Sequence, residues 1–392
     1  MRVLFLTTGC FDKGGISRYS RYQIAALREL YGLANVRVMS LLGPDGNGFE
    51  TPFEVEWYGG TGGLADKLRF SARAAHIAAT WRPDVVHIAH VNFTPLARQL
   101  GRIAGGRTLL NVYGLEIWSG LSARRRANMR AMDRIVADCH FTARYVSEAN
   151  LHGRAPDVIW DCIDLDRFAP GPCSPSVLAK YGIADKANAF VVLSLGRLSK
   201  SAAHKGFDRL IEAFAVVAAS EPGARLVIAG RGDDRPRLEA LVAARGLIPA
   251  VTFTGPVDEQ DLADVYRSAS VFSLVSDRGP GRGEGIPLTP LEAMGCGVPV
   301  VVGNQDGSQE AVIAMDGDVA NGFVIDPFDL ASHAGLLLRM AKSAPLRAQM
   351  AECARQAAAD HFGYRRFAGQ HGVLYADLLA ADRNQAAMLR AS

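Results

Sequence analysis

Two carboxylates, Glu284 and Glu292, stand with seven residues between them around the start of a short apolar helix, in the run Gly279-Pro-Gly-Arg-Gly-Glu-Gly-Ile-Pro-Leu-Thr-Pro-Leu-Glu-Ala-Met-Gly-Cys-Gly-Val-Pro299. A helix start near Pro287 offers unpaired backbone N–H groups and the positive end of the helix dipole, which suit a phosphate. The carboxylates are poor phosphate ligands and good acceptors of hydroxyl hydrogen bonds, as a sugar or a ribose requires. A second pair lies upstream. Arg197 closes a strand in Gly196-Arg197-Leu198, and Lys205, eight positions later, opens a helix in Lys205-Gly206. Arginine bridges phosphate oxygens with a planar fork and lysine supplies a point charge, so together they read as a diphosphate grip. Read blandly, the first run is a loop and a core helix with two solvated carboxylates, and the second pair is surface charge near a turn.

These residues need a scaffold that brings loops together. Residues 269–275 and 298–302 read as buried strands on either side of the Glu284–Glu292 run, the order of a parallel α/β unit. Ligands in such sheets sit outside the carboxyl ends of the strands, where this loop falls. The amino terminus repeats the theme: a strand over residues 2–7, a loop carrying Gly14 and Gly15, and a helix from Ile16 to Tyr31. The loop lacks Gly-x-Gly-x-x-Gly, so it is not a dinucleotide fingerprint, and a plain tight turn is the other reading. Further βα units follow, with strands at 36–41, 84–90 and 108–112 and helices at 64–80 and 94–103. His87 is expected in the core, and His90, at its strand's carboxyl end, could face a cleft. Arg124, Arg125, Arg126, Arg130 and Arg134 are placed on one predicted helix, either a solvated face or a contact for an anionic membrane or a phosphorylated acceptor.

Composition bounds the rest. A chain of 392 residues, half of it hydrophobic, holds at least two domains. Its net charge of +3 (43 − 40) gives no reason to expect nucleic acid as a partner. Six cysteines are scattered without a Cys-x-x-Cys pair, which suggests neither zinc nor disulfides, and so a reducing compartment. No apolar run approaches ~20 residues, so a cytoplasmic protein is expected, at most at the inner face of the membrane. The expected division is 1–168 as one Rossmann-like domain, 169–188 as a linker through Gly171-Pro-Cys-Ser-Pro175, 189–362 as a second Rossmann-like domain, and 363–392 as a terminal helix.

The combination Glu-Gly-Ile-Pro-Leu, then Glu-Ala-Met-Gly-Cys-Gly-Val-Pro, with Gly-Arg-Leu and Lys-Gly upstream, resembles the retaining, GT-B-fold glycosyltransferases called glycosyl transferases group 1. The resemblance covers nearly the whole chain and is strongest over 191–326. It implies an α/β fold of two Rossmann-like domains with parallel sheets facing a cleft, the last helix crossing back to the first domain. It implies transfer of a hexosyl unit from a UDP- or GDP-linked sugar to a hydroxyl of a glycan or lipid-linked glycan, in polysaccharide assembly. The nucleotide sugar is a substrate; no cofactor and no metal are expected, because Arg197, Lys205 and the helix start stabilise the leaving diphosphate. By the same resemblance Glu284 holds donor-sugar hydroxyls and Glu292 the ribose. Gly285, Ile286, Pro287 and Leu288 line the phosphates, and Gly14 and Gly15 let the backbone approach donor and acceptor.

The chain also departs from the family pattern. After the strand ending at Val112, Tyr113-Gly-Leu-Glu116 stands where many members carry His-Gly-x-Asp/Glu. Tyr113 is a poor base near neutral pH, so Tyr113, Glu116 or His90 would have to cover that role, or the role is dispensable. Asp306-Gly-Ser-Gln-Glu310 replaces the usual Gly-Gly-x-x-Glu, and Glu310 matches only the acidic place. Trp160-Asp-Cys-Ile-Asp164 keeps the Asp of the usual Pro-Asn-Gly-Val-Asp segment without its Asn-Gly turn. Two other readings stay open: a non-catalytic nucleotide-sugar-binding protein, and a nucleotide-sugar epimerase of the same fold.

Overall fold

The structure is a computed structural model that describes every residue except 13, 45–53, 60–61, 315–318 and 392, with backbone alone for 381–391. The chain forms two compact units: Met1–Cys162 with Tyr364–Ser392, and Ile163–Gly363.

The first unit is built on seven parallel strands: β1 (Val3–Thr7), β2 (Val36–Leu42), β3 (Glu56–Gly59), β4 (Val85–Ile88), β5 (Arg107–Val112), β6 (Arg134–Ala137) and β7 (Asp157–Val158). Their order is β3-β2-β1-β4-β5-β6-β7. All five residues of β1 are buried, as a parallel sheet covered on both faces demands. Alternation divides them: Leu4 and Leu6 pack with helices Leu64–Trp81 and Thr94–Ala104, whereas Val3 and Phe5 pack with helices Gly15–Tyr31 and Tyr364–Ala391.

The second unit carries six parallel strands: β8 (Val191–Leu195), β9 (Arg225–Ala229), β10 (Val251–Gly255), β11 (Val271–Leu274), β12 (Val300–Gly303) and β13 (Gly322–Ile325). Their order is β10-β9-β8-β11-β12-β13. Both sheets thus reverse direction beside their first strand, between β1 and β4 and between β8 and β11. In doubly wound sheets that crevice is where ligands bind.

Helix Tyr364–Ala391 is anchored in the first unit by a buried polar chain. Asn111 Oδ1 accepts from Gln23 Nε2–H at 3.0 Å and from His87 Nε2–H at 2.6 Å. His87 Nδ1 accepts the Tyr375 hydroxyl at 2.6 Å. Gln23 also donates to His371 Nε2 at 2.9 Å, and His371 Nδ1–H donates to the Phe367 carbonyl. Each ring has one donor and one acceptor nitrogen in use, so both imidazoles are neutral. Burial lowers their pKa values to about 3 for His87 and about 4 for His371. Unfolded histidine takes up its proton near pH 6.5, so the unfolded chain binds more protons over that window. The contribution to stability is full above pH ~6.5 and is lost as pH falls toward 4. A urea midpoint lower at pH 5 than at pH 7 is expected; a flat profile would contradict this tautomer assignment.

Two expectations change. Arg134 is not on the arginine helix, which ends at Arg130. It lies on β6, buried, with its guanidinium on Asp157 at 2.5 and 2.8 Å, a bidentate pair that fits a sheet edge. Residues 169–188 fall inside the second unit. Pro175 starts helix Pro175–Tyr181, where its missing N–H costs nothing, and Lys180 and Tyr181 bind Asp261. His90 sits beyond the end of β4 and caps a short turn, its Nδ1 accepting from Asn92 N–H at 3.1 Å.

Candidate functional site

The second sheet aims its loops at one place beyond β8 and β11. β8 runs into Gly196 and Arg197. Gly230, at the end of β9, has φ +135°, and a Cβ there would lie 1.9 Å from the Gly196 carbonyl oxygen, so only glycine lets these two strand ends close up. The chain then makes a 3-10 segment, Lys200–Lys205, and turns at Gly206 (φ 74°) into helix Phe207–Ser220. A Cβ on Gly206 would meet the Val275 carbonyl at 2.6 Å, so this turn presses against the end of β11.

That geometry places Lys205 over the end of β8, its Cδ 3.1 Å from where a Gly196 Cβ would be. Lys205 Nζ donates to Glu284 Oε1 at 2.5 Å, and His204 Nε2–H donates to the same oxygen at 2.9 Å. Both basic side chains are shielded, with 11% and 6% of their surface exposed. Burial pushes the Glu284 carboxyl upward, but Lys205 and His204 outweigh it and hold the pKa at about 2. Glu284 is therefore a carboxylate across the physiological range. Arg197, one residue beyond Gly196, is exposed and makes no hydrogen bond or ion pair among the described residues.

Glu284 is fixed through its backbone as well. Its N–H donates to Asp306 Oδ2 at 2.9 Å and its carbonyl accepts Gly307 N–H. Asp306 also accepts the Ser276 hydroxyl and Ser308 N–H. Burial and then the negative charge of Glu284 raise the Asp306 pKa to about 6. After Glu284 the chain enters helix Leu288–Gly295, whose N-cap, Pro287, supplies no side-chain cap. The first N–H groups are thus left to another acceptor. Gly285, Ile286, Pro287 and Leu288 form this approach, the last three buried. Glu292, a turn further in, is also buried, and its Oε2 accepts the Tyr266 hydroxyl at 2.6 Å.

The glycine-rich loop is pinned at its base. Gly279 and Arg282 exchange backbone hydrogen bonds, and Arg282 Nε lies 3.1 Å from Asp277 Oδ1. Asp277 is buried and pairs with Arg209 Nη1 at 2.9 Å. Neither this link, nor Asp306, nor His204 was expected from the sequence. The clue for His204 was its place beside Lys205, and for Asp306 it was the acidic residue that breaks the expected Gly-Gly pattern. Glu310, the residue matched there, lies in the short helical turn Gly307–Ala311.

In the first unit, Gly14 caps helix Gly15–Tyr31 and its N–H donates to Asp12 Oδ1 at 2.6 Å. A Cβ on Gly15 would meet nothing within 4 Å, so the fold itself does not require glycine there. Tyr113 is buried at the end of β5, its ring edge-on to Tyr19. Burial raises its phenol far above the usual value, which keeps it protonated. Glu116 Oε1 accepts Tyr113 N–H at 2.7 Å, and burial raises this carboxyl too. Burial, and then Arg125, lower the His90 pKa, and its Nδ1 is occupied by Asn92 N–H, which leaves the proton of the neutral ring on Nε2.

Among the described residues no group of three or more His, Cys, Asp or Glu could hold a metal ion, and no helix is long and apolar enough to cross a membrane. What the second unit offers is an exposed arginine, a lysine, an open helix start and a carboxylate, together at the ends of adjacent strands. It can hold a diphosphate beside a hydroxyl-bearing group.

Comparison with known proteins agrees. Residues 180–357 match the family model described as glycosyl transferases group 1, and residues 13–167 match glycosyltransferase family 4. A GDP-mannose-dependent alpha-(1-6)-phosphatidylinositol monomannoside mannosyltransferase of Mycolicibacterium smegmatis is 30% identical over 298 residues, 74% of this chain and 73% of that protein. A D-inositol 3-phosphate glycosyltransferase of Saccharomonospora viridis is 28% identical over 323 residues, 78% of this chain and 67% of that protein. Among solved structures, sucrose-phosphate synthase of Thermosynechococcus elongatus superposes with a TM-score of 0.77 at 21% identity, covering 97% of this chain and all of that one. Anabaena Alr3699/HepE in complex with UDP gives 0.76 at 20% identity, covering 96% and all of that chain. These structural likenesses establish the GT-B fold.

Proposed function

Because the chain belongs to the glycosyl transferases group 1 family and is a nucleotide-sugar glycosyltransferase, we propose that it moves a hexosyl unit, with retention and without a metal, from a UDP- or GDP-linked donor to a hydroxyl of a glycan or lipid-linked glycan. The observation that carries this is the convergence of Lys205 and Glu284 at 2.5 Å on the ends of β8 and β11, beside the open start of helix Leu288–Gly295. The relatives' names favour GDP-mannose as donor and an inositol-containing acceptor as the first to try.

In this reading the diphosphate lies on Arg197, Lys205 and the N–H groups after Pro287. As the bond from the sugar C1 to the diphosphate oxygen breaks, the electron pair stays on that oxygen. The growing charge meets cations already in place, which is the work a divalent metal does elsewhere. Glu284 accepts hydroxyls of the donor sugar. The acceptor oxygen then bonds to C1 on the face the diphosphate leaves, and its proton passes to the departing phosphate. No protein base is needed, in keeping with the buried, protonated Tyr113. Glu292, held by Tyr266, is the residue assigned to the ribose. Work at the inner face of the membrane, through Arg124 and Arg125, and an acceptor-side role for the first unit are part of the same proposal.

A thermal-shift screen against UDP, GDP and ADP in EDTA tests the donor site, since a ligand that binds only the folded state raises its melting temperature. One nucleotide should give a clear shift. The shift should vanish in Arg197→Ala while the unliganded melting temperature stays put, because Arg197 is exposed and has no partner among the described residues. No shift with any nucleotide would overturn the reading.

A further inference from the structure

We infer that His204 is a positioning residue for the reaction: it keeps Glu284 aligned on the donor sugar while Lys205 serves the diphosphate. This rests on the site being the nucleotide-sugar site proposed above.

Lys205 has two anions to serve. In the unliganded protein its ammonium is bound to Glu284 Oε1 at 2.5 Å. An arriving diphosphate brings two or more negative charges and competes for the same three N–H bonds. Were Lys205 the sole partner of Glu284, its carboxylate would loosen when the donor arrives and its orientation matters most. His204 removes that conflict. Its Nε2–H binds the same Oε1 at 2.9 Å, and a carboxylate oxygen can only accept, so this proton is fixed on Nε2. Oε1 is thus taken by the protein, and Oε2, with no hydrogen bond among the described residues, is the oxygen left for a sugar hydroxyl.

His204 is itself built in, as a positioning group must be. Its side chain is 6% exposed. Its carbonyl accepts Asp277 N–H at 2.8 Å and Arg209 Nη2–H at 3.1 Å, which ties it to the end of β11 and to helix Phe207–Ser220. The other ring nitrogen, Nδ1, is buried and has no hydrogen-bond partner among the described residues. The contact that the imidazole does make is the one from Nε2 to Glu284.

The test uses the full chain and two variants, His204→Ala and His204→Gln, because the glutamine amide can place an N–H near the position of Nε2. Binding of UDP and GDP is measured by calorimetry, and transfer from UDP-glucose and GDP-mannose by nucleotide release. In His204→Ala, UDP or GDP affinity should stay within about threefold of wild type while kcat falls on the order of a hundredfold, the effect of a misplaced reacting group. His204→Gln should recover most of that loss. If His204→Ala turns over like wild type, or if the glutamine variant is as impaired as alanine, the inference fails. Nucleotide affinity falling in parallel with kcat would also overturn it, since the histidine would then merely hold the loop. Wild-type protein that binds neither nucleotide would sink the donor-site reading instead, a separate and recognisable outcome.

Discussion

Lys205→Ala should lower kcat/KM by roughly two to three orders of magnitude, the usual effect of deleting one preorganised group that meets transition-state charge. Two losses combine. The leaving diphosphate loses a cation, and Glu284, buried beside it, loses the partner that most strongly holds it ionised. The carboxylate keeps only His204, so the variant should also be less stable, by about 1–3 kcal/mol for a shielded charged hydrogen bond. A double variant separates the two effects. Lys205→Ala with Glu284→Gln removes both charges, and stability should recover while turnover does not. If activity returned together with stability, the lysine would be a structural partner only.

Glu284→Gln should have an effect of similar size on kcat, about a hundredfold or more, with the opposite sign on nucleotide binding. Lys205 and His204 both donate, so the amide must turn its oxygen toward them. Its NH2 group then occupies the place of Oε2, and a sugar hydroxyl that found an acceptor meets a donor. Lys205, freed from a carboxylate competitor, should bind UDP or GDP at least as tightly as before. Calorimetry with the bare nucleotide and initial rates with the nucleotide sugar read the two halves separately. A variant that loses nucleotide affinity and rate together would place Glu284 on the phosphate side and reverse the assignment.

Much of this site could be read from the chain. The strands ending before Arg197 and before the Gly279–Gly283 loop are short apolar runs, and parallel sheets buried on both faces impose that pattern. Arg197, Lys205 and Glu284 carry chemistry in their spacing. What was not legible depends on contacts far apart in sequence. Nothing local places the His204 imidazole on a carboxylate 80 positions away, or joins Tyr375 to His87 across most of the chain. Arg134 was misplaced because a run of arginines reads as one polar helix face, whereas the β6 edge and Asp157 decide its position. Residues 171–175 have linker composition, yet Pro175 begins a helix. Glu292, assigned to the ribose by resemblance, also accepts the Tyr266 hydroxyl, a contact with no signature in the Glu-x7-Glu spacing.

The most direct test is proton NMR of a reaction run in EDTA, with GDP-mannose or UDP-glucose as donor and D-inositol 3-phosphate or a short glycan as acceptor. Release of the nucleoside diphosphate together with a new anomeric signal of the donor's own configuration is the predicted result. A product of inverted configuration, or a reaction that starts only when a divalent metal is restored, would contradict a retaining transfer driven by Arg197, Lys205 and the start of helix Leu288–Gly295.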